Sequence, residues 1–177
     1  THNLLLNDSS VQRVFVNKTN FIVHPNFNYQ SASLDIAIVY VQQSIQFNDY
    51  VQPVSLPSNY LLEETFVGEL GTITGHGQYC GYDCSSSSVL RFSKNRVLSN
   101  DDCRELSPYN SFPSESQICI STSENGAGSS CRGDSGSALT IMRHSEAVLI
   151  GISSFGNRKC DEGKPSIFTR LTREIVS

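Results

Sequence analysis

The stretch SSCRGDSGSAL (residues 129–139) places an acidic residue and a serine between two glycines, after a cysteine and before an apolar run. Gly133 and Gly136 lack the Cβ atoms that would block an unusual backbone path, so a tight turn is favoured here. Such a turn would expose the Ser135 hydroxyl and direct neighbouring N–H groups to one point. Gly-Asp-Ser-Gly is also ordinary turn chemistry between strands, so by itself it leaves a simple turn and a catalytic turn equally open.

Short segments of strand-like composition surround this turn. They are rich in β-branched and aromatic residues and are bounded by Gly, Pro, Asn, Asp and Ser. They are SVQRVFV (10–16), DIAIVYV (35–41), TFVGELGTITGHG (65–77), LRFSKNRVL (90–98), ALTIM (138–142), AVLIGISSFG (147–156) and SIFTRL (166–171). Helical periodicity is nearly absent until TREIVS (172–177), which predicts the start of a short terminal helix. The pattern predicts an all-β protein, either a barrel or a sandwich.

Composition excludes several classes of partner. The 177 residues carry a net charge of −4, and only 17% are Asp, Glu, Lys or Arg. The basic residues are scattered, which argues against a nucleic-acid partner. The longest apolar runs, such as AVLIGI (147–152), have the length of a strand and are too short to cross a bilayer. We therefore expect no nucleic-acid and no membrane partner.

The six cysteines indicate the cellular compartment. Their spacings do not repeat a zinc-ligand pair, so we predict no metal site and no cofactor. A disulfide framework in a secreted protein is favoured over reduced core thiols. Two N-x-S/T sequons, at Asn7 and Asn17, are compatible with an extracellular glycoprotein.

Several segments together resemble one family. They are LDIAIVYV around Asp35, the connector FNDYVQPVSLP (47–57), TGHG (74–77), CRGDSGS around Ser135, ISSFG (152–156) and KPSIFTRL (164–171). In order and spacing the chain resembles the chymotrypsin-like (trypsin-like) serine proteases over its whole length. Ser135 follows Asp35 by 100 positions, close to the separation of about 93 in that family's template.

The resemblance implies a fold of two six-stranded antiparallel Greek-key barrels. Residues 1–55 would form the remainder of an incomplete N-terminal barrel with the connector, and residues 56–177 the C-terminal barrel with the nucleophile and specificity pocket. The terminal helix would be cut short. On this view the sequence is a fragment of a longer protease that lacks its N-terminal portion.

The resemblance also implies a serine endopeptidase that works through an acyl-enzyme. Ser135 would be the nucleophile, the N–H groups of Gly133 and Ser135 the oxyanion hole, and Asp35 the carboxylate that orients the catalytic imidazole. Asp134 would pair with the α-amino group released on zymogen cleavage. Thr1 does not match that terminus, so Asp134 is expected to lack this partner.

The general base is missing from the expected place. The template puts it about 45 residues before the aspartate, and the four histidines of this chain lie elsewhere: His2, His24, His76 and His144. Each of them is interpreted as structural. We therefore predict that the 177-residue chain alone has no measurable peptidase activity.

The resemblance assigns the cysteines and the pocket. The implied disulfides are Cys103 with Cys119, Cys131 with Cys160, and, as the remaining pair, Cys80 with Cys84. Another bridge of the family is missing, because Gly71 and Ile141 occupy its positions. The implied pocket residues are Ser129 at the base, Ser154, Phe155 and Gly156 along one wall, and Ser166 opposite.

Pocket chemistry predicts the cleavage preference. Ser129 stands where trypsin-like members have aspartate, so a Lys or Arg substrate would bury its charge without a partner. Cleavage after Phe, Tyr or Leu is expected, with smaller residues as the alternative. Asp161 and Glu162 lie near the rim and would admit basic residues if one turned inward.

A second class of function stays open. Ser137 and Ala138 replace a glycine and a proline of the family pattern, and His76 and Phe155 replace two tryptophans, as in a catalytically inactive homologue that serves as a binding or regulatory module. An active parent protease is favoured because Asp35 and Ser135 are both present. Its expected partners are polypeptide substrates and protein protease inhibitors, and it is expected to be a monomer.

Overall fold

A computed structural model describes residues 3–4, 11–80, 84–107, 113–122, 128–157, 159–160 and 162–171. The strands are β1 (Phe21–Val23), β2 (Ala37–Val39), β3 (Leu70–Gly75), β4 (Arg91–Leu98), β5 (Gln117–Ile120), β6 (Ala138–Arg143), β7 (Glu146–Phe155) and β8 (Ser166–Arg170). One α-helix, α1 (Asn100–Leu106), and two 3₁₀ turns (Lys18–Asn20 and Leu61–Glu63) complete the described elements. The predicted terminal helix (172–177) lies outside the described residues.

Strands β3 to β8 form a closed barrel in the order β3-β4-β5-β8-β7-β6, in which every pairing is antiparallel. The barrel closes where β3 pairs with β6, at Thr72 opposite Thr140 and Ile73 opposite Leu139. Its interior is filled by side chains with no exposed surface, among them Ile118, Ile150 and Phe168. The predicted all-β class and a six-stranded antiparallel barrel are confirmed.

The chain before the barrel contains little regular structure. Strands β1 and β2 form a two-stranded antiparallel sheet whose residues are all exposed. The strand predicted for SVQRVFV is wrong for residues 11–16, which form no strand. Phe15 in that stretch is 98% exposed, so the segment has strand-like composition but pairs with no strand among the described residues. The proposed boundary between residues 55 and 56 stays a prediction.

The connector attaches this first part to the barrel. Ser55 exchanges backbone hydrogen bonds with β7, accepting from Leu149 N at 2.9 Å and donating to Ala147 O at 3.3 Å. Leu61 and Phe66, further along, are buried in the barrel core. These contacts fix the approach of residues 11–55 to one side of the barrel.

Two elements of the barrel were not predicted from the sequence. Strand β5 was missed, and so was helix α1, whose segment contains only seven residues. Ser99 caps this helix, because its Oγ accepts from the backbone N–H of Asp102 at 3.0 Å. That Ser-x-x-Asp spacing is a helix start signal, but the helix is too short to show apolar periodicity.

Three disulfides are present, and they join the pairs expected from the sequence. They are Cys80–Cys84, Cys103–Cys119 and Cys131–Cys160. Cys103 and Cys119 are fully buried beside Ile167 and link α1 to β5.

Candidate active site

The Ser135 turn (residues 131–137) connects the loop after β5 to β6. Asp134 N donates to Cys131 O and Ser137 N to Asp134 O, both at 3.0 Å, so the chain reverses twice within seven residues. Gly133 has φ +95° and Gly136 φ +82°, values that favour glycine over any residue with a Cβ. Ser135 lies exposed between these two positions. The sequence expectation of a tight turn around an outward hydroxyl matches this geometry.

The carboxylate of Asp134 packs against the backbone at the end of β3. Its Oδ1 accepts from Gly77 N at 2.7 Å and its Oδ2 from Cys131 N at 2.9 Å. A Cβ added at Gly75 would lie 1.9 Å from Oδ1, so the carboxylate packs directly on this backbone. Asp134 therefore has two backbone donors, although its expected α-amino partner is not among the described residues. These contacts hold the turn against the end of β3.

Strand β7 is hydrogen-bonded both to Asp35 and to the Ser135 turn. Ser154 Oγ on β7 donates to Asp35 Oδ2 at 2.6 Å. The preceding residue, Ser153, accepts from Gly136 N at 2.9 Å and donates to Ser137 O at 2.8 Å. Consecutive residues of one strand thus hold the carboxylate and the turn, which brings Asp35 and Ser135 to the same side of the barrel.

The backbone of Asp35 is also anchored to the barrel, because its carbonyl oxygen accepts from Thr169 Oγ1 at 2.8 Å. The bonds from Ser154 and Thr169 to Asp35 were missed by the sequence analysis, which placed Ser154 only in the pocket wall. Neither residue carries a local sequence signal for this role.

The turn leaves several polar groups available. Within the part of the chain that the structure describes, the N–H groups of Gly133 and Ser135 and the Ser135 hydroxyl have no hydrogen-bond partner. Two N–H donors beside an exposed hydroxyl are the groups needed to bind a developing oxyanion and to attack a carbonyl. A base that accepts the hydroxyl proton would complete the machinery for acyl transfer.

None of the described histidines supplies that base. His24 accepts from Asn26 N at 3.2 Å in a surface turn, and His76 Nδ1 lies 3.1 Å from Ser87 O. His144 occupies the β6–β7 turn with φ +49°. Among the described residues no histidine bonds to Asp35 or Ser135, and His2 lies outside them.

The predicted pocket residues do not all lie around one cavity. A cavity of about 340 Å³ opens beside the Ser135 turn and is lined by Ser129 and Asp134, but not by Gly156 or Ser166. Its other walls come from β3, β4 and residues 77–80. The Ser129 hydroxyl donates to Cys160 O, so its proton is already used in a hydrogen bond within the protein.

Gly156 and Ser166 lie close to each other and do not line that cavity. A Cβ built on Gly156 would lie 3.7 Å from Ser166 Oγ. Ser166 is buried, with 2% of its surface exposed. Phe155 packs against the cluster of Cys103, Cys119 and Ile167, so its ring contributes to the core.

The segment that follows β7 carries an ion pair at the surface. Lys159 Nζ lies 2.8 Å from Glu162 Oε1, and Asn157 Nδ2 donates to Glu162 Oε2 at 2.9 Å. The hydrogen bond from Lys159 lowers the pKa of Glu162, with smaller contributions from Asn157 and Lys164. Glu162 is thus engaged at the surface and does not turn inward. Asp161 lies outside the described residues.

The described residues contain neither a metal-binding cluster nor a membrane-spanning helix. No group of three or more His, Cys, Asp or Glu side chains is arranged to hold a metal ion there. No helix in the same residues is long and apolar enough to span a membrane.

Comparison with known proteins identifies the family. The Trypsin family model matches residues 1–176, and the chain belongs to that family. The chain is 32% identical over 158 residues to a collagenase of Hypoderma lineatum, covering 89% of this chain and 57% of the collagenase. It is 28% identical to a venom protease of Bombus pensylvanicus over 176 residues, covering 99% of this chain and 70% of that protein.

A solved structure supports the fold assignment. The structure described as HL collagenase at 1.7 Å resolution superposes with a TM-score of 0.73 at 32% identity, covering 85% of this chain and 62% of that one. The chain therefore spans a little under two thirds of the matched structure, and 57% of the Hypoderma lineatum collagenase.

Proposed function

We propose that this chain is part of a secreted serine endopeptidase that cleaves polypeptides through an acyl-enzyme. One observation carries the proposal: β7 holds the Ser135 turn through Ser153 and the Asp35 carboxylate through Ser154. Family membership and the similarity to a collagenase and to venom proteases support the same reaction class.

In the proposed mechanism Ser135 Oγ attacks the scissile carbonyl and gives its proton to an imidazole. Asp35 orients that imidazole and stabilises it once charged. The N–H groups of Gly133 and Ser135 receive the negative charge that develops on the carbonyl oxygen, a contribution of about 10²–10³ in turnover per donor. No described histidine bonds to Asp35 or Ser135, so the imidazole is proposed to come from a segment outside the described residues.

The proposed preference is for large apolar residues before the scissile bond. Two contacts support it: the Ser129 hydroxyl is already bonded to Cys160 O, and Glu162 is paired with Lys159. No carboxylate is therefore directed from these positions towards a Lys or Arg side chain. Ser166, close to Gly156, would narrow the space for the substrate side chain, which makes smaller residues the alternative.

The test uses two preparations of the protein. In the intact natural protein, a fluorophosphonate probe should label Ser135, and Ser135→Ala should abolish labelling. The 177-residue chain alone should release no more product from a Phe, Tyr or Leu peptide than its own Ser135→Ala variant. Turnover by the isolated chain above that control would contradict the assignment of the base to another segment.

The second candidate is an inactive homologue that acts as a binding module. The replacements Ser137 and Ala138, together with the engagement of His24 and His76 by neighbouring backbone groups, favour it. The two candidates differ in the intact protein: absence of fluorophosphonate labelling on a correctly folded sample would support the binding module.

A further inference from the structure

The Cys80–Cys84 disulfide is close to the Ser135 turn, and Cys80 lines the cavity beside that turn. It closes a small ring, with Cα atoms 5.8 Å apart, in the segment after β3. We call residues 76–80 and 84–87 the clip. Sγ of Cys131, at the start of the Ser135 turn, lies 3.9 Å from the Cys80 carbonyl oxygen.

Gln78 makes one hydrogen bond within the clip and one to the Ser135 turn. Its side-chain Nε2 donates at 2.9 Å to Cys84 O, the carbonyl oxygen of the second cysteine of the disulfide. Its backbone N–H donates to Arg132 O at 2.8 Å, in the Ser135 turn. Gln78 also forms an isolated antiparallel bridge with Ser86. The hydrogen bond to Cys84 O and the bridge to Ser86 thus tie Gln78 to the segment that the disulfide closes.

The acceptor of this bond sets the direction of the neighbouring N–H. A trans peptide unit is planar, and its C=O and N–H point in opposite directions. Because Arg132 O points at the clip, the N–H of Gly133 in the same peptide unit points away from it. That N–H has no hydrogen-bond partner among the described residues.

The hydrogen bond of the turn itself, from Asp134 N to Cys131 O, is compatible with either orientation of the 132–133 peptide. Gly133 has φ +95° and no Cβ, so rotation of the 132–133 peptide meets little steric resistance. An ordinary hydrogen bond shifts such an equilibrium by about a factor of ten. The bond from Gln78 is thus large enough to decide which way the Gly133 N–H points.

We infer that the Cys80–Cys84 clip and the Gln78 side chain form a positioning element that fixes the Gly133 N–H in the direction required of an oxyanion donor. The role of that N–H as an oxyanion donor rests on the proposed function. Its direction rests only on the hydrogen bond from Gln78 N to Arg132 O. Gln78 acts through Arg132 and does not touch the reacting atoms.

The test is an NMR measurement on the isotope-labelled 177-residue chain. The coupling between the Gln78 nitrogen and the Arg132 carbonyl carbon reports their hydrogen bond directly. We expect this coupling in the natural chain, and we expect Cys80→Ser with Cys84→Ser to abolish it. The Gln78 amide should then exchange with solvent about tenfold faster.

Further variants keep the disulfide intact. Gln78→Glu has the same shape without the side-chain donor and should lose the coupling, whereas Gln78→Lys restores a donor and should regain it. Gln52→Glu is the matched control, because Gln52 Nε2 also donates to a backbone oxygen, Asn48 O at 2.6 Å, in an exposed segment remote in sequence. Amides of Ile118 and Phe168 in the core should exchange at unchanged rates in all variants.

The inference is overturned if the natural chain lacks the coupling, or if the coupling survives in both the double serine variant and Gln78→Glu. Failure of the proposed function would appear differently. The intact protein would then resist fluorophosphonate labelling while the coupling in the chain remained.

Discussion

At the scale of single residues, the Asp134 carboxylate leaves no room for a side chain at Gly75. A Cβ there would lie 1.9 Å from Asp134 Oδ1, well inside van der Waals contact. Gly75→Ala should therefore displace the carboxylate or the end of β3 and lower the free energy of unfolding by about 1–3 kcal/mol. Urea denaturation followed by circular dichroism measures the loss.

Gly156→Ala is the control for this substitution. Its Cβ would have no neighbour closer than 3.7 Å, which is ordinary contact distance. We expect a change within about 0.5 kcal/mol. Equal destabilisation by the two alanines would show that the Asp134 contact is not the cause.

A titration at the rim tests the electrostatics of the site. The hydrogen bond from Lys159 lowers the pKa of Glu162 below its ordinary value of 4.5. A carboxyl whose folded pKa is depressed stabilises the fold above its unfolded pKa, and this contribution disappears as the pH falls through the folded pKa. Because both side chains are well exposed, the effect on stability is small and the pKa itself is the useful observable.

Lys159→Met should raise the pKa of Glu162 towards 4.5, as followed by NMR titration of its side chain. Lys164→Met is the matched control and should raise it less, since Lys164 makes the smallest of the contributions. An unchanged pKa in Lys159→Met would mean that the ion pair does not form in solution.

Some features of the site could be predicted from the sequence, and others could not. The Ser135 turn could be predicted because its geometry depends on Gly133 and Gly136, which are only three positions apart in the chain. The bond from Ser154 to Asp35 could not, since the two residues are 119 positions apart and a serine in a strand has no distinguishing local pattern. The clip contact between Gln78 and Arg132 is non-local in the same way.

At the scale of elements, composition predicted strands well where a partner exists. Strands β3, β4, β6, β7 and β8 fall within predicted segments and pair in the barrel. Residues 11–16 have similar composition but no pairing, which shows that β propensity reports suitability for a sheet rather than the presence of one. Helix α1 was missed because its seven residues give a cap signal but no periodicity.

The pairing of β3 with β6 predicts an engineered disulfide. Thr72 lies opposite Thr140 and Ile73 opposite Leu139, so the register places Gly71 opposite Ile141. Directly opposed residues in an antiparallel pair have Cα atoms about 4.5–5.5 Å apart, within disulfide range. Gly71→Cys with Ile141→Cys should form a bridge that stabilises the oxidised protein by about 4 kcal/mol, from the entropy of the loop it closes.

Comparison of the bridged variant with Gly71→Ser, Ile141→Ser isolates the bridge from the cost of the two substitutions, because both proteins keep the three native disulfides. The tip of the Leu139 side chain must turn aside, because a Cβ at Gly71 would lie 2.8 Å from its Cδ1. Failure of the bridge to form, as judged by mass, would contradict the register. Equal midpoints of urea denaturation for the bridged and serine variants would contradict the expected stabilisation.

At the scale of the whole molecule, burial is unevenly distributed. Ile118, Ile120, Leu139, Ile150 and Phe168 in the barrel have no exposed surface. By contrast the residues of β1 and β2 are exposed throughout, and Ile38 retains 64% of its surface. Since local stability follows buried apolar contact, the two parts should open with very different free energies.

Hydrogen exchange should therefore separate the two parts. Amides of β5 and β8 pair in the barrel and should exchange only through global unfolding, whereas amides of β1 and β2 should exchange orders of magnitude faster. Brief digestion with a non-specific protease should cut first within residues 11–55 and leave a resistant core that begins near Leu61, whose side chain is buried in the barrel. First cuts inside the barrel, or equal protection of Ile22 and Ile118, would mean that the exposed sheet is as stable as the closed one. The bonds of Ser55 to β7 would then be strong enough to couple both parts into a single cooperative unit.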